Sequence, residues 1–133
     1  MGDLFYRLDN ILKGDTRFHE ESYLFVMAAL GRVLRGLEKP HHVSGQELLE
    51  GIKYEALDQF GPMAVCVFKH WGIKNSLDFG RIVFNMVREG ILSKTETDAL
   101  EDFRDAAFLK KLFDAAAAYR LRDEESLILK QQS

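Results

Sequence analysis

Histidines close to carboxylates are the first residues in this chain whose types could do chemistry. His41 and His42 are adjacent, and Glu47 follows them closely. His19, beside a glutamate, comes earlier in the chain. Imidazole and carboxylate groups bind zinc and other divalent metals. The spacing matches no established metal motif, and adjacent side chains in an extended loop point apart. The sequence therefore favours a loop pair that packs near the Ser44 cap, and it predicts neither a metal nor a cofactor.

Cys66 and His70 form a second candidate pair, because residues four apart share one face of a helix. A cysteine beside a histidine is nucleophilic when its thiol is exposed and activated. Cys66 stands between Val65 and Val67 in a run that is apolar nearly all round. We therefore expect Cys66 to be a buried structural cysteine. It is the single cysteine in the sequence, which excludes an intramolecular disulfide and suits a cytoplasmic protein.

The motifs of the common catalytic classes are absent from the sequence. There is no P-loop, no Gly-x-Gly-x-x-Gly, no His-Glu-x-x-His and no Gly-x-Ser-x-Gly. Asp78-Phe79-Gly80 matches the kinase tripeptide, but it falls inside a predicted helix, and 133 residues are too few for a kinase. No pair of carboxylates is flanked so as to indicate tuned acid and base groups. The sequence predicts that the protein is not an enzyme.

Composition places the chain among ordinary globular proteins. Its 133 residues correspond to one domain, with 47% hydrophobic and 29% charged residues. These fractions exclude collagen-like and wholly disordered classes. The longest apolar run, residues 23–30, is far shorter than the ~20 residues of a membrane-spanning helix. We also expect neither a signal peptide nor a myristoylation site.

Charge is distributed without any basic tract. The net charge is -3, from 18 basic and 21 acidic side chains. The sharpest imbalance lies in residues 91–106, where two basic side chains stand against five acidic ones. A nucleic-acid-binding surface normally shows clustered lysine and arginine. The charge pattern therefore indicates a solvated surface and argues against a generic nucleic-acid binder.

Glycine and proline divide the chain into pieces of helix length. Apolar residues in each piece recur at three- and four-residue spacing, which predicts helices over residues 3–13, 19–38, 45–60, 62–71 and 76–89. Ser44 and Glu47 form a capping box at the start of the third helix, and Gly61 is expected to close it in the left-handed conformation. Gly31 costs the second helix about 1 kcal/mol against alanine, unless another helix crosses closely there.

Residues 91–105 allow two interpretations. The first is a β-hairpin with its turn near Glu96 to Asp98, favoured because residues 91–92 directly follow a helix stop. In this hairpin Leu100 and Phe103 would face residues 91–92. The second is a helix capped by Thr95.

The C-terminal part of the chain predicts an amphipathic helix over residues 106–119. Its apolar face needs a partner surface, and we expect that surface to be the domain's own core beside residues 3–13. A groove on a neighbouring subunit is the alternative. Residues 1–120 are thus predicted to form a single helical domain, and residues 121–133 a flexible tail that is polar apart from Leu127-Ile128-Leu129.

The helices over residues 62–71 and 76–89, joined at Gly72, resemble a helix-turn-helix unit. With the hairpin as a wing, residues 46–105 would form a winged helix. Arginine and asparagine can read guanine and adenine edges in the major groove. The residues that the second helix would expose for such contacts, to DNA or to a partner, are Asn75, Arg81, Asn85 and Arg88.

Winged helices also serve as plain interaction domains, so the fold alone does not decide the function. The acids of the predicted wing would face phosphates. We therefore predict a mainly α-helical domain with a winged-helix-like core, acting as a non-catalytic, cytoplasmic protein-interaction module. DNA binding through helix 76–89 is the alternative, and the partner and oligomeric state stay open.

Two strings carry a resemblance to a protein family. From His41 the chain reads HHVSGQELLEGIKYEALDQFGPMA, and from His70 it reads HWGIKNSLDFGRIVFNMVREGILSKTETDALEDF. An upstream helix, residues 16–30, reads TRFHEESYLFVMAAL. Over about residues 16–104 the chain resembles a family of uncharacterised bacterial conserved proteins, first catalogued as a Planctomycetes/Verrucomicrobia hypothetical family. The resemblance implies no activity, cofactor or catalytic residue, and residues 115–118 depart from the family's pattern.

Overall fold

The computed structural model of the chain describes residues 2–93 and 99–118, and all structural statements concern these residues. The α-helices are α1 (Gly2–Gly14), α2 (Glu20–Arg35), α3 (Gly45–Phe60), α4 (Ala64–His70) and α5 (Leu77–Arg88). A 3₁₀ helix, Gly61–Met63, joins α3 to α4, and a second one, Leu100–Phe103, follows α5. Residues 108–118 form a last helical segment, here called the C-terminal helix. No strand occurs in the described ranges, which confirms the predicted mainly α class.

The core lies where α2, α3 and α5 meet. α2 packs along α3 and against α5, while α1 contacts both α2 and α5. These helices supply the fully buried side chains of Leu8, Tyr23, Val26, Ile52, Phe68, Phe79, Ile82 and Met86. The face that α2 buries differs from the one its spacing predicted, because Phe25, Val26 and Ala29 are buried while Leu34 is 51% exposed. In the ranges that the structure describes, none of these helices has the length and hydropathy needed to cross a membrane.

The close helix crossing lies at Gly51. A Cβ atom there would stand 2.3 Å from Val33 Cγ2 and 3.3 Å from the carbonyl oxygen of Ala29. At Gly31 a Cβ would meet only the guanidinium of Arg35, at 3.2 Å. The glycine that lets α2 and α3 approach is therefore on α3, not in the middle of α2.

The capping box at the start of α3 is confirmed. The Ser44 hydroxyl accepts from the backbone N–H of Glu47 at 3.1 Å, and the Glu47 carboxylate accepts from the N–H of Ser44 at 3.1 Å. At the other end, Gly61 has the expected positive φ of 51°. Its ψ of -127° lies outside the left-handed helical region, because the chain turns directly into the 3₁₀ helix.

Replacing Ser44 by alanine is expected to lower the free energy of unfolding by about 0.5–2 kcal/mol without changing the topology. The substitution leaves the N–H of Glu47 without its side-chain acceptor. Urea denaturation measures the change. Ser93→Ala, at an exposed serine outside any helix, is the control and is expected to leave the midpoint unchanged. Equal midpoints for both variants would contradict the importance of the cap.

The predicted hairpin is wrong for the described part of residues 91–105. Leu100–Phe103 forms a 3₁₀ helix, and the carboxylate of Asp102 accepts from the N–H of Ala99 at 2.8 Å. Phe103 is buried and lies over Gly80, where a Cβ would come within 2.8 Å of its ring. The 3₁₀ helix places the Phe103 ring in the core, and these residues therefore do not form the second strand of the predicted hairpin. The predicted turn at Glu96 to Asp98 and the alternative cap Thr95 lie outside the described residues.

The run before Gly72 is less buried than its composition predicted. In α4 only Ala64 and Phe68 are buried, and Met63 just before it is 57% exposed. A helix of seven residues that packs mainly against α3 can cover only one face. Apolar residues on its outer face therefore stay in contact with water.

The C-terminal helix buries part of its predicted apolar face in the chain's own core, against α5, while the predicted position beside residues 3–13 stays a prediction. Phe108, Leu112 and Ala116 are buried, and the Phe108 ring lies 5.9 Å from the Phe79 ring of α5, in an edge-to-face arrangement. Phe113, which the spacing places on the same apolar face, is 63% exposed, so the prediction is wrong at this residue. The predicted tail, with Leu127-Ile128-Leu129, lies outside the described residues.

Candidate functional site

An apolar groove of about 370 Å³ opens beside α2, α5 and the loop that precedes α3. Its size and mostly apolar lining with a few polar groups are typical of a binding site. The polar lining residues are His41, His42, Ser44 and Ser93. The apolar lining residues are Leu30, Leu34, Val43, Leu48, Val83, Val87, Ile91, Leu92 and Phe103.

The wall formed by residues 91–92 depends on how α5 ends. Gly90 has a φ of +77°, which favours glycine, and its N–H donates to the carbonyl of Val87 at 3.0 Å. The N–H of Ile91 then donates to the carbonyl of Met86 at 2.8 Å. These two bonds form a Schellman motif. The chain therefore folds back beside the last turn of α5, and Ile91 and Leu92 line the apolar groove.

His41 and His42 lie in the loop before α3, exposed, and both line the apolar groove. Nδ1 of His41 is 2.8 Å from the carbonyl oxygen of His42, so Nδ1 donates the proton of this bond. Nε2 of His41 lies 3.8 Å from a carboxylate oxygen of Glu47. The predicted loop pair is thus beside the capping residue of α3.

Glu47 is a charged group beside His41. The N–H of Ser44 donates to its carboxylate, and this bond, together with the hydroxyl of Ser44 and the nearby histidines, holds the pKa of Glu47 below its ordinary value.

His19 contacts His70, with ring centroids 5.7 Å apart. Nδ1 of His19 accepts from the N–H of Glu21 at 3.1 Å and so caps α2. This bond leaves the proton of the neutral ring on Nε2, which is unfavourable for a metal bound there. In the described part of the chain, no group of three or more histidine, cysteine or acidic side chains is arranged to hold a metal ion.

Cys66 is exposed, so the prediction of a buried structural cysteine is wrong. It lies on the outer face of the short helix α4, opposite the two residues that the helix buries. The flanking valines are themselves only half-buried. The apolar run in the sequence therefore predicted more burial of the Cys66 thiol than the structure shows.

Of the four predicted contact residues, Asn75 and Arg88 are exposed, Arg81 is half-buried and Asn85 is buried. Asn85 is only 5% exposed, so its predicted exposure is wrong. Its side-chain amide donates to the hydroxyl of Tyr23 at 3.1 Å, and Arg88 donates to its carbonyl oxygen at 2.7 Å. Arg81 is half-buried and pairs with Asp78 at 2.7 Å. Asn75 is exposed, and its side chain accepts from the N–H of Asp78 at 3.3 Å.

Asp15, Arg17 and Tyr23 form a polar cluster with Asn85 that the sequence analysis missed. Arg17 donates to both carboxylate oxygens of Asp15, at 2.9 and 2.6 Å, and Asn85 donates to Asp15 at 3.0 Å. The Arg17 guanidinium is the main cause that holds the pKa of Asp15 well below its ordinary range. The cluster ties the end of α1 to α2 and α5. A signal was present, since Asn85 falls in the apolar stripe between Ile82 and Met86.

Comparison with protein-family models, with curated proteins and with solved structures finds no match to this chain. The functional argument therefore rests on the apolar groove and the charges around it.

Proposed function

We propose that the protein is a non-catalytic protein-interaction module whose apolar groove binds a short amphipathic helix of a partner. The observation that carries the proposal is the composition of the lining, with nine apolar residues and, within the described ranges, no lysine, arginine, aspartate or glutamate. Burying an unpaired charge against such a surface is costly. The contacting face of the partner is therefore apolar and uncharged.

The length of the apolar groove supports a helix as its occupant. The lining residues of α5 and the following turn run from Val83 to Leu92. At about 1.5 Å per residue, Val83 and Val87 lie roughly 6 Å apart along α5, and Ile91 and Leu92 extend this wall where the chain folds back. A helix that presents apolar side chains at positions i, i+3 and i+4 has contacts over a similar length.

Exposed apolar surface at the apolar groove also supports the proposal. Leu34 lines it and is 51% exposed, so its apolar side chain is accessible to a partner. The residues that follow Ser93 up to position 98 are all polar in the sequence. They offer no apolar side chain that could take the place of a partner.

The test is a selection of displayed amphipathic helical peptides on the full chain, followed by Kd measurements on the best binders. Leu34→Asp is expected to raise the Kd at least tenfold, or about 1.4 kcal/mol. Leu24→Asp is the matched control, because Leu24 is a partly exposed leucine of the same helix outside the groove lining. It is expected to change the Kd less than twofold. Failure to select any binder, or equal Kd values for the two variants, would overturn the proposal.

DNA binding receives less support, because the predicted contact residues of helix 76–89 do not form a free basic surface. We predict no useful affinity for generic duplex DNA. The net charge is -3, Asn85 faces inward, and Arg81 pairs with Asp78. Non-specific binders reach about 10⁻⁴ to 10⁻⁶ M at physiological salt through phosphate contacts. Fluorescence anisotropy with a random duplex at low salt is the measurement. Micromolar binding that weakens steeply with salt, and that Arg81→Ala and Arg88→Ala reduce, would contradict the prediction.

A further inference from the structure

A second pocket, of about 290 Å³, lies between the first half of α2 and the end of α3. We call it the aromatic pocket. In the part of the chain that the structure describes, it shares no lining residue with the apolar groove. The lining residues are Glu21, Leu24, Phe25, Ala28, Gln59, Phe60 and Trp71. The aromatic pocket is therefore a separate site with a chemistry of its own.

Three aromatic rings line the aromatic pocket. The ring centroids of Phe25 and Trp71 lie 5.3 Å apart, and the Phe60 centroid is 5.8 Å from the first and 5.5 Å from the second. Phe25 and Trp71 are buried and fixed by packing, whereas Phe60 is half-buried and offers ring surface to a ligand. An aromatic ring attracts a cation over its face and packs against a second ring. The Phe60 ring therefore suits a ligand that has both an aromatic group and a positive charge.

The polar groups of the aromatic pocket offer hydrogen-bond acceptors. Glu21 is the charged residue of the lining and is exposed, and within the described ranges no lysine, arginine or histidine forms an ion pair with its carboxylate. Gln59 donates through Nε2 to Glu55 at 2.9 Å, which leaves its carbonyl oxygen as an acceptor. The last turn of α3 has no basic residue, although the C-terminal end of a helix carries a partial negative charge. The aromatic pocket is therefore complementary to a cation that donates hydrogen bonds.

We propose that the aromatic pocket binds a small arylalkyl ammonium ion, with the ring of the ligand against Phe60 and its ammonium group beside Glu21. The pocket volume is at the lower end of the range for ligand sites, so the occupant is a small free molecule. An ammonium group has three N–H donors and no acceptor, which fits the acceptors of Glu21 and Gln59. A neutral ligand of the same shape lacks the attraction to the carboxylate, and an anion is repelled by it.

The experiment is a titration of the full chain with benzylammonium, followed by the fluorescence of Trp71. Trp71 is the single tryptophan of the sequence and lines the aromatic pocket, so its emission reports binding there. Benzyl alcohol is the matched neutral ligand, and phenylacetate is the matched anion. We expect the Kd of benzylammonium to be about fivefold lower than that of benzyl alcohol, because exposed ion pairs and cation–π contacts each change an affinity by a few-fold. Phenylacetate is expected to bind more weakly than both.

A matched pair of variants tests the role of the carboxylate. Glu21→Gln is expected to raise the Kd of benzylammonium about threefold and to leave that of benzyl alcohol unchanged. Glu20→Gln is the control, because Glu20 is the neighbouring acid in the first turn of α2 but lies outside the lining. It is expected to leave both Kd values unchanged. Glu21 is exposed, so its replacement keeps the core intact, and circular dichroism melts of the two variants check this.

Three results would overturn the proposed cation site. The first is the absence of a saturable change in Trp71 emission with benzylammonium, and the second is an equal Kd for benzylammonium and benzyl alcohol. The third is an equal effect of Glu21→Gln and Glu20→Gln, since the net charge of the protein and not the aromatic pocket would then attract the ligand. Each of these results leaves the proposed function of the apolar groove standing.

Discussion

Deleting residues 106–133 is expected to leave the remaining chain unfolded or molten. Phe108 and Leu112 of the C-terminal helix are almost fully buried, and burial of such side chains contributes about 1.5–3 kcal/mol each. The deletion also uncovers the ring of Phe79, which Phe108 contacts. A domain is stable by only about 5–15 kcal/mol. Circular dichroism melts and light scattering on the 1–105 fragment and the full chain measure the effect.

A pair of point substitutions in the same helix provides the control for this deletion. Phe108→Ala is expected to cost about 3–5 kcal/mol. Phe113→Ala, at a phenylalanine that is 63% exposed, is expected to change the stability by no more than about 0.5 kcal/mol. A cooperative melt from a monomeric 1–105 fragment would show that the helix serves an interface and not the core.

Replacing Gly72 by alanine is expected to destabilise the fold by about 3 kcal/mol or more. Gly72 has a φ of +89°, and a Cβ there would stand 2.1 Å from the backbone carbonyl oxygen of Arg17. Both the strained φ and the contact with backbone must then be relieved by moving the chain between α4 and α5. Next to it, the N–H of His19 donates to the carbonyl of Trp71 at 3.1 Å, and this contact would move as well.

Gly14→Ala is the matched control for Gly72→Ala. Gly14 also ends a helix, but a Cβ there meets no atom within 4 Å and its φ is not in the left-handed region. The free energy of unfolding of the Gly14→Ala variant is expected to stay within about 0.5 kcal/mol of the wild-type value. Urea midpoints of the two variants give the comparison, and similar midpoints would mean that the loop at Gly72 yields easily.

The helices could be predicted from the sequence because their ends are set locally. Ser44 with Glu47 starts α3, Gly61 and Pro62 end it, and Gly90 ends α5, all through chemistry within a few residues. The loop position of His41 and His42 follows from the same signals. These parts of the site could therefore be predicted without any knowledge of long-range contacts.

The errors arose where distant segments decide the outcome. Asn85 is buried because residues distant in sequence accept its hydrogen bonds. Tyr23 lies 62 positions away and Asp15 lies 70 positions away. Cys66 is exposed because only one face of α4 is covered. Periodicity shows which face of a helix is apolar, but not how many neighbours surround that face. The apolar groove was missed for the same reason, since its walls come from four separate parts of the chain.

The burial of Tyr23 also links the stability of the fold to alkaline conditions. Tyr23 is fully buried, and burial is the main cause that raises the pKa of its phenol. Tyr6 and Tyr54 are exposed to solvent. Above the ordinary tyrosine range the unfolded chain gives up this proton while the folded chain keeps it, so base destabilises the native state. Tyrosinate absorbance from Tyr23 therefore emerges together with unfolding and reports on it.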